Sequence, residues 1–339
     1  MERTRLKIAI VGAGSIGGFL GARLAFAGED VTFVARGATL AAIRCDGFAL
    51  IEEDGSRRVA KGVEAIAIHE GTPQDLVLLA LKAHQVPAIA ADLGALFGPD
   101  TSVVTLQNGI PWWYFYKQGG PFEGRPVRAA DPDGIIAAHI ADERIIGSVV
   151  YPACELIAPG VVRVIEGNRF SLGEPDGSRS GRVQRLADAL TRAGFKAPIA
   201  TDLRSEIWLK LWGNIVFNPV SALTHATLAG ICGHPPSRAL AAAMMAEIQA
   251  VAEKLGVRLR VSIEKRIAGA AAVGEHKTSM LQDVEAGRPL ELDALVGSVV
   301  EMARLTGTPT PSIDAVYAVA GLLGKTLSDR HGRLEIAST

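Results

Sequence analysis

Three polar residues stand at helical spacing inside an otherwise apolar run. In EIWLKLWGNIVFN, Glu206–Asn218, the residues Lys210, Asn214 and Asn218 lie at i, i+4 and i+8, which at 100° per residue stacks them in one narrow stripe. The other positions, Ile207, Trp208, Leu209, Leu211, Trp212, Ile215, Val216 and Phe217, leave no solvated face, and a helix that is hydrophobic all round is buried. A buried ammonium needs a partner or gives up its proton. Something must therefore face that stripe, and a desolvated lysine has its pKa lowered towards working pH, where it can exchange a proton. The plainer alternative is a snorkelling lysine and two asparagines that satisfy nearby backbone. The choice rests on the remainder of the chain.

A second chemical signature opens the sequence. The β-branched run Leu6–Val11 reads as a buried parallel strand and is followed at once by Gly12-Ala13-Gly14-Ser15-Ile16-Gly17. Gly18–Ala27 then reads as a helix closed by Gly28, and Val31–Ala35 as the next strand. Strand, G-x-G-x-x-G, helix and strand in this order form the dinucleotide-binding fingerprint. Gly12 permits the tight turn, Gly14 the approach of a pyrophosphate, and Gly17 close helix–strand packing, while the helix N-terminus offers N–H groups to the anion. A glycine-rich turn that binds nothing is the weaker alternative. An NAD enzyme usually ends the second strand with Asp or Glu for the ribose 2′-OH. This chain has Arg36, and a guanidinium suits a 2′-phosphate, so NADPH is the expected cofactor. A solvated arginine at a strand end is the competing reading.

The elements that would position these groups fall into two sets. Phe48–Ile51 and Arg57–Ala60, joined through Asp54-Gly55, read as a hairpin. Asp75–Leu81 and Ser102–Leu106 read as buried strands whose polar tips, Lys82-Ala83-His84-Gln85 and Gln107-Asn108-Gly109, would project from the carboxyl edge where open α/β sheets bind ligands. Further strands are expected at Ile135–Ile140, Ile145–Tyr151, Val161–Ile165, Arg169–Leu172 and Ala197–Ala200, with a helix at Arg179–Ala193. After Thr201-Asp202 the pattern turns helical: Leu203–Phe217, Pro236–Leu255, Ser262–Ala271, Thr278–Ala286, Leu292–Thr306 and Ile313–Leu327. The fold class is therefore α/β: an N-terminal Rossmann-type parallel sheet domain over 1–200, followed by an all-α domain over 201–339.

Composition narrows the function. The 339 residues carry 35 basic and 36 acidic side chains, so electrostatics gives no case for nucleic acid or an anionic membrane. Cys45, Cys154 and Cys232 match no zinc or CxxC pattern, and His225 and His234 are too far apart to share a helix face. No metal is expected, and the thiols suit a reducing cytosol. Apolar runs such as Leu76–Leu81 and Ala239–Ala246 fall far short of the roughly 18–20 residues that span a bilayer. The start, MERTRLKIAIVGAG, imitates a signal peptide, but its apolar run stops at glycines, so a strand in a cytoplasmic protein is the expectation.

Taken together, these motifs resemble the ketopantoate reductase (2-dehydropantoate 2-reductase) family. The resemblance rests on Gly12–Gly17, Arg36, L-K-A-H-Q at 81–85, Q-N-G at 107–109, E-I-W-L-K-L-W-G-N-I-V-F-N-P at 206–219, and S-M-L-Q-D at 279–283 leading to G-R-P-L-E at 287–291. It implies NADPH-dependent reduction of 2-dehydropantoate to (R)-pantoate in coenzyme A biosynthesis. Lys210 would be the general acid, with Glu291 orienting it or the substrate hydroxyl. Asn214 and Asn218 would hold substrate oxygens and Ser279 the carboxylate. Lys82 and Asn108 would lie beside the cofactor ribose and nicotinamide, Asn108 bordering the substrate as well. The implied partner is a small 2-oxo acid, and a homodimer is a candidate assembly.

The sequence departs from the family pattern at Leu228, where a polar residue is common, and at Pro289-Leu290. It also departs in the run Trp112–Tyr116, five aromatics from a chain with ten Phe, four Trp and four Tyr. These either anchor the following Pro/Gly-rich segment or, at Trp112 or Trp113, wall a substrate pocket. Two alternatives to ketopantoate reduction stand: a relative acting on another branched or aromatic 2-oxo acid, and a non-catalytic NADPH-binding regulator. A regulator would not need the proton donor.

Overall fold

The computed structural model describes residues 5–332. They form two compact units, one comprising the residues up to Pro126 with Asp131–Leu203, the other Val127–Ala130 with the residues from Arg204 onward.

The first unit begins with β1 (Lys7–Val11), α1 (Ser15–Phe26), β2 (Asp30–Val34), α2 (Gly37–Asp46), β3 (Phe48–Ile51), β4 (Arg57–Ala60), β5 (Glu64–Ile66), β6 (Gln74–Leu79) and β7 (Phe97–Thr105). It continues with α3 (Ile135–His139), β8 (Ile145–Val150), β9 (Ala153–Ala158), β10 (Val161–Glu166), β11 (Phe170–Gly173) and α4 (Gly181–Arg192). Seven strands make one sheet in the order β11-β8-β7-β6-β1-β2-β5, parallel except where β11 runs against β8. The chain goes outward from β1 through β2 to β5, then crosses to β6 on the other side, the doubly wound arrangement with its switch point beside β1. Strands β4-β3-β10-β9 make a second, smaller sheet.

Glycines on α1 let both sheets close on that helix. A Cβ at Gly18 would lie 2.1 Å from Cζ of Phe48 in the small sheet, and one at Gly21 would lie 2.4 Å from the ring of Phe33 in the large sheet. Those two rings stack with centroids 4.8 Å apart. Helix α4 adds Val183, Leu186 and Leu190 to the same buried cluster, where Phe195 meets Phe19 and Phe170 edge to face.

The second unit is helical: α5 (Leu203–Thr224, whose first residue packs in the first unit), α6 (Leu228–Gly233), α7 (Pro235–Lys254), α8 (Ile263–Val273), α9 (Ser279–Glu285), a π-turn (Asp293–Gly297), α10 (Ser298–Thr306) and α11 (Pro311–Asp329). Side-chain caps fix several starts. Thr227 accepts from Gly230 N, Ser262 from Lys265 N and Thr278 from Leu281 N, at 3.2–3.3 Å. Trp212 Nε1 donates to Met245 O at 2.8 Å, which ties α5 to α7. The short stretch Val127–Ala130 joins this unit because Glu301 of α10 accepts from Arg128 N at 3.0 Å and Ala129 N at 2.7 Å. No helix among the described residues is long and apolar enough to cross a membrane.

Several elements differ from the sequence expectation. Ile135–Ile140 is a helix, not a strand: buried Asp131 accepts from Ile136 N at 3.1 Å and Ala137 N at 3.0 Å, which caps the turn and overrides the β-branched pair. Ala197–Ala200 makes no strand; Lys196 and Ile199 form only isolated bridges to Arg169 and Leu172. Helix α5 runs through Pro219 to Thr224 rather than stopping at Phe217. Helices α2 and α6 and strands β5 and β9 are additions.

The Asp131 cap is testable. Asp131→Ala removes the acceptor of the buried Ile136 N–H and of the part-buried Ala137 N–H and is expected to lower unfolding stability by about 1–3 kcal/mol. Asp131→Asn, which keeps one oxygen, should lose less, as read from urea denaturation. Equal stability of Asp131→Ala and wild type would show that the apolar packing of Ile136 alone holds the turn.

Candidate active site

In the first unit the register brings four strand ends level. Val34 pairs with Val11, Val11 with Leu79, and Leu79 with Thr105. The segments that follow these strands carry Arg36, Gly12–Gly17, Lys82 and Asn108, so all of the expected cofactor residues emerge along one sheet edge.

The glycine loop has the shape the fingerprint demands. Gly12 has φ +101°, and a Cβ on Gly17 would lie 2.0 Å from Gly12 O and 2.9 Å from Ala80 Cβ. At Gly14 an added Cβ meets nothing within 4 Å, so the loop is open there and closed behind. Gly14 is the N-cap of α1, with no side-chain cap and no acidic residue in the first turn. The N–H groups of Ser15, Ile16 and Gly17 thus begin a helix whose positive end meets no carboxylate of its own. Ala13 is buried, and the Ile16 side chain packs on the core while its backbone lines the turn. This loop fits the pyrophosphate of a dinucleotide.

Arg36 is the exposed N-cap residue of α2 and makes no side-chain cap. Lys82 is half-buried at the start of a 3₁₀ turn, its N–H donating to Gln85 Oε1 at 3.1 Å. Asn108 is half-buried ahead of Gly109, whose φ is +98°. Beside it is a residue that sequence reasoning left unassigned. Gln107 Nε2 donates to Leu79 O at 2.8 Å and to Leu81 O at 3.0 Å, stapling the tips of β6 and β7 together. The segment so held includes Ala80, which backs Gly12 and Gly17. The signal available in sequence was only its place at a strand tip.

The aromatic run is buried from Trp112 to Phe115 and half-buried at Tyr116. Trp113 Nε1 donates to Thr105 Oγ1 at 3.2 Å, and its ring fills the space over Gly147, where a Cβ would come within 2.6 Å of Cη2. Trp113 therefore spaces β8 from the end of β7.

In the second unit α5 carries the stripe expected of it. Lys210 and Asn214 are half-buried and Asn218 is buried, with Trp208 and Trp212 fully buried beside them. Burial pulls the Lys210 ammonium down to about 8, while the nearby Glu291 carboxylate works the other way and favours the charged form. Glu291 is half-buried immediately before the π-turn, and its carbonyl accepts from Leu295 N at 3.3 Å. Ser279 is the exposed first residue of α9, one position after the Thr278 cap. A lysine brought down to about 8, on one helix face with two amides and near one carboxylate, can deliver a proton to an oxygen.

Comparison with known proteins identifies the family. Residues 8–113 match the family model for ketopantoate reductase PanE/ApbA, and residues 202–323 the model for its C-terminal part. A 2-dehydropantoate 2-reductase from Mesorhizobium japonicum is 55% identical over 315 residues, covering 93% of this chain and 96% of that protein. Among solved structures, a Ralstonia solanacearum MolK2 protein provisionally named a ketopantoate reductase superposes with a TM-score of 0.91 at 42% identity, covering 96% of this chain and 99% of the other. The 2-dehydropantoate 2-reductase of Geobacter metallireducens GS-15 gives 0.81 at 29% identity, over 94% and 99% of the two chains. The chain is a member of the ketopantoate reductase family.

Proposed function

We propose that this protein is an NADPH-dependent oxidoreductase that reduces the C2 ketone of 2-dehydropantoate to the alcohol of (R)-pantoate, a step of pantothenate and coenzyme A biosynthesis. The observation that carries the reading is Lys210, an ammonium held near 8 by burial on an apolar helix and opposed by Glu291. The 55% identical relative named for this reaction supports the choice of substrate. Reduced nicotinamide, when bound, supplies the hydride to C2. Lys210 Nζ donates the proton to the ketone oxygen and is left as a neutral amine, to be reprotonated from solvent. Asn214 and Asn218, on the same helix face, hold substrate oxygens so that the ketone meets Nζ, and Glu291 keeps the lysine charged. Ser279 Oγ binds the carboxylate. Gly12–Gly17 seat the pyrophosphate, Arg36 the 2′-phosphate, and Lys82 and Asn108 the ribose and nicotinamide. A cytoplasmic homodimer is the setting this reading carries. A purely regulatory protein has no use for a lysine tuned towards neutrality, and the packed aromatic run gives no reason to prefer a bulkier 2-oxo acid.

The deciding experiment is a panel of 2-oxo acids with NADPH, following loss of its absorbance. Ketopantoate should give the highest kcat/KM, and its failure against a bulkier acid would move the assignment within the family.

Arg36→Ala is expected to raise KM for NADPH about 10- to 100-fold, the worth of roughly 1.5–3 kcal/mol in charged hydrogen bonds, with NADH kinetics nearly unchanged. Equal losses with both cofactors would remove Arg36 from the 2′-phosphate.

Lys210→Ala should fold and bind NADPH yet lose about 10²–10⁴ in kcat. The donor must be protonated, so wild-type kcat is expected to be flat on the acid side and to fall as pH rises through about 8. Glu291→Gln removes the charge that favours the ammonium, and the descending limb should move to lower pH. A limb that stays in place in Glu291→Gln would show that Glu291 does not act on Lys210.

A further inference from the structure

Gln107 lies two residues past the end of β7, yet its side chain bonds to the segment that follows β6. Leu106 N–H donates to Leu79 O at 3.2 Å. Beyond that rung the carboxamide continues the ladder, Nε2 donating to Leu79 O at 2.8 Å and to Leu81 O at 3.0 Å. Both hydrogens of the amide are thus used on carbonyls that bracket Ala80. Its Oε1 is buried with no hydrogen-bond partner among the described residues. Ala80 N–H in turn donates to Val11 O at 2.9 Å, so the segment is fixed from β1 as well as from the end of β7. It touches the expected cofactor site at several points. A Cβ on Gly17 would lie 2.9 Å from Ala80 Cβ, and one on Gly12 would lie 2.9 Å from Leu81 Cδ2 and 3.1 Å from Ala80 O. Lys82 is joined to the Leu81 carbonyl group by one peptide bond, and Asn108 follows Gln107 directly.

We propose that Gln107 is a positioning residue for the dinucleotide: its carboxamide sets Lys82 and Asn108 in register with each other and holds Ala80 and Leu81 against the glycine loop. The inference rests on the cofactor reading of Gly12–Gly17, Lys82 and Asn108, and gives those residues a common support. The chemistry requires a donor with two hydrogens. A carboxylate of the same shape would set acceptor against acceptor at both carbonyls. Register matters because displacements of about 1 Å in groups that hold a reacting ring are enough to lose most of their effect. The adenosine end is independent of this support, since Arg36 follows β2 and β1 stands between β2 and β6.

The test titrates NADP and adenosine 2′-phosphate calorimetrically into wild type, Gln107→Leu, Gln107→Glu and Gln107→Asn, with Asp131→Ala as a variant weakened elsewhere in the unit. Kd for NADP should rise about 10-fold in Gln107→Leu and at least as much in Gln107→Glu. Kd for adenosine 2′-phosphate should stay at the wild-type value in both, and Asp131→Ala should bind both ligands as wild type does. Lowering the pH should restore part of the NADP affinity in Gln107→Glu, whose neutral carboxyl regains one donor, and none in Gln107→Leu. Gln107→Asn keeps the amide one methylene short of its carbonyls; it guards against failure of the other two to fold and should show a smaller loss. Wild-type NADP affinity in the folded variants would overturn the proposal. So would a loss shared equally by adenosine 2′-phosphate and following the drop in melting temperature, which would make Gln107 a packing residue. If wild type itself binds no NADP, the cofactor reading fails and the inference falls with it.

Discussion

An ammonium taken out of water has to be compensated or neutralised, and the second unit is built around that constraint. Lys210 lies on a helix whose neighbouring positions are tryptophan, leucine and isoleucine, two of the tryptophans with no exposure at all. Burial of this kind costs several kcal/mol for an uncompensated charge. Burial lowers the Lys210 ammonium and Glu291 favours its charged form, leaving the group near 8. Partial compensation is the state that suits a proton donor.

The first unit depends on a different constraint, the distance of closest approach between backbones. Gly17 cannot carry a side chain because Gly12 O occupies that space, and Ala80, held by the Gln107 staple, closes the loop from behind. Gly14 faces the opposite condition, with nothing in front of it. Three glycines of one short loop thus serve three different needs. Their joint effect is a row of N–H groups at the end of α1 with a solid wall on one side and an open space on the other. The level strand ends, Val34, Val11, Leu79 and Thr105, carry this arrangement across the sheet to Arg36, Lys82 and Asn108.

These features were legible in the sequence to very different degrees. The i, i+4, i+8 stripe on α5 and the glycine loop between two strands follow from local periodicity and sterics, and both stand where the pattern put them. The Phe48–Ile51 and Arg57–Ala60 pairing was equally local, since Asp54-Gly55 names its own turn. Ile135–Ile140 failed because the deciding group is not in the run: Asp131 lies four residues upstream and binds backbone N–H groups through its side chain. Pro219 failed for the opposite reason, a local rule set aside by tertiary burial of α5 on both sides of it. Trp113 was ambiguous because an aromatic beside a strand tip serves packing and ligand walls alike. Only the glycine at 147, some thirty residues later, shows which space the ring fills. The role of Gln107 was invisible in the sequence, since it comes from carbonyls that another segment brings to it.

Glycine at 213 illustrates why that last class is physical rather than accidental. Interior glycines cost about 1 kcal/mol each relative to alanine in an exposed helix, and both α1 and α5 carry them where no turn is made. In α1 the neighbours that profit are the apolar rings of Phe33 and Phe48, and the gain is hydrophobic contact. In α5 the neighbour is a guanidinium, which gains no comparable dispersion energy from lying on a peptide backbone and loses hydration by doing so. Close apolar packing therefore accounts for Gly18 and Gly21, while Gly213 admits a polar neighbour. What the glycine at 213 provides is the room in which the Arg266 guanidinium lies against the backbone of α5, a contact that any side chain there would have to displace.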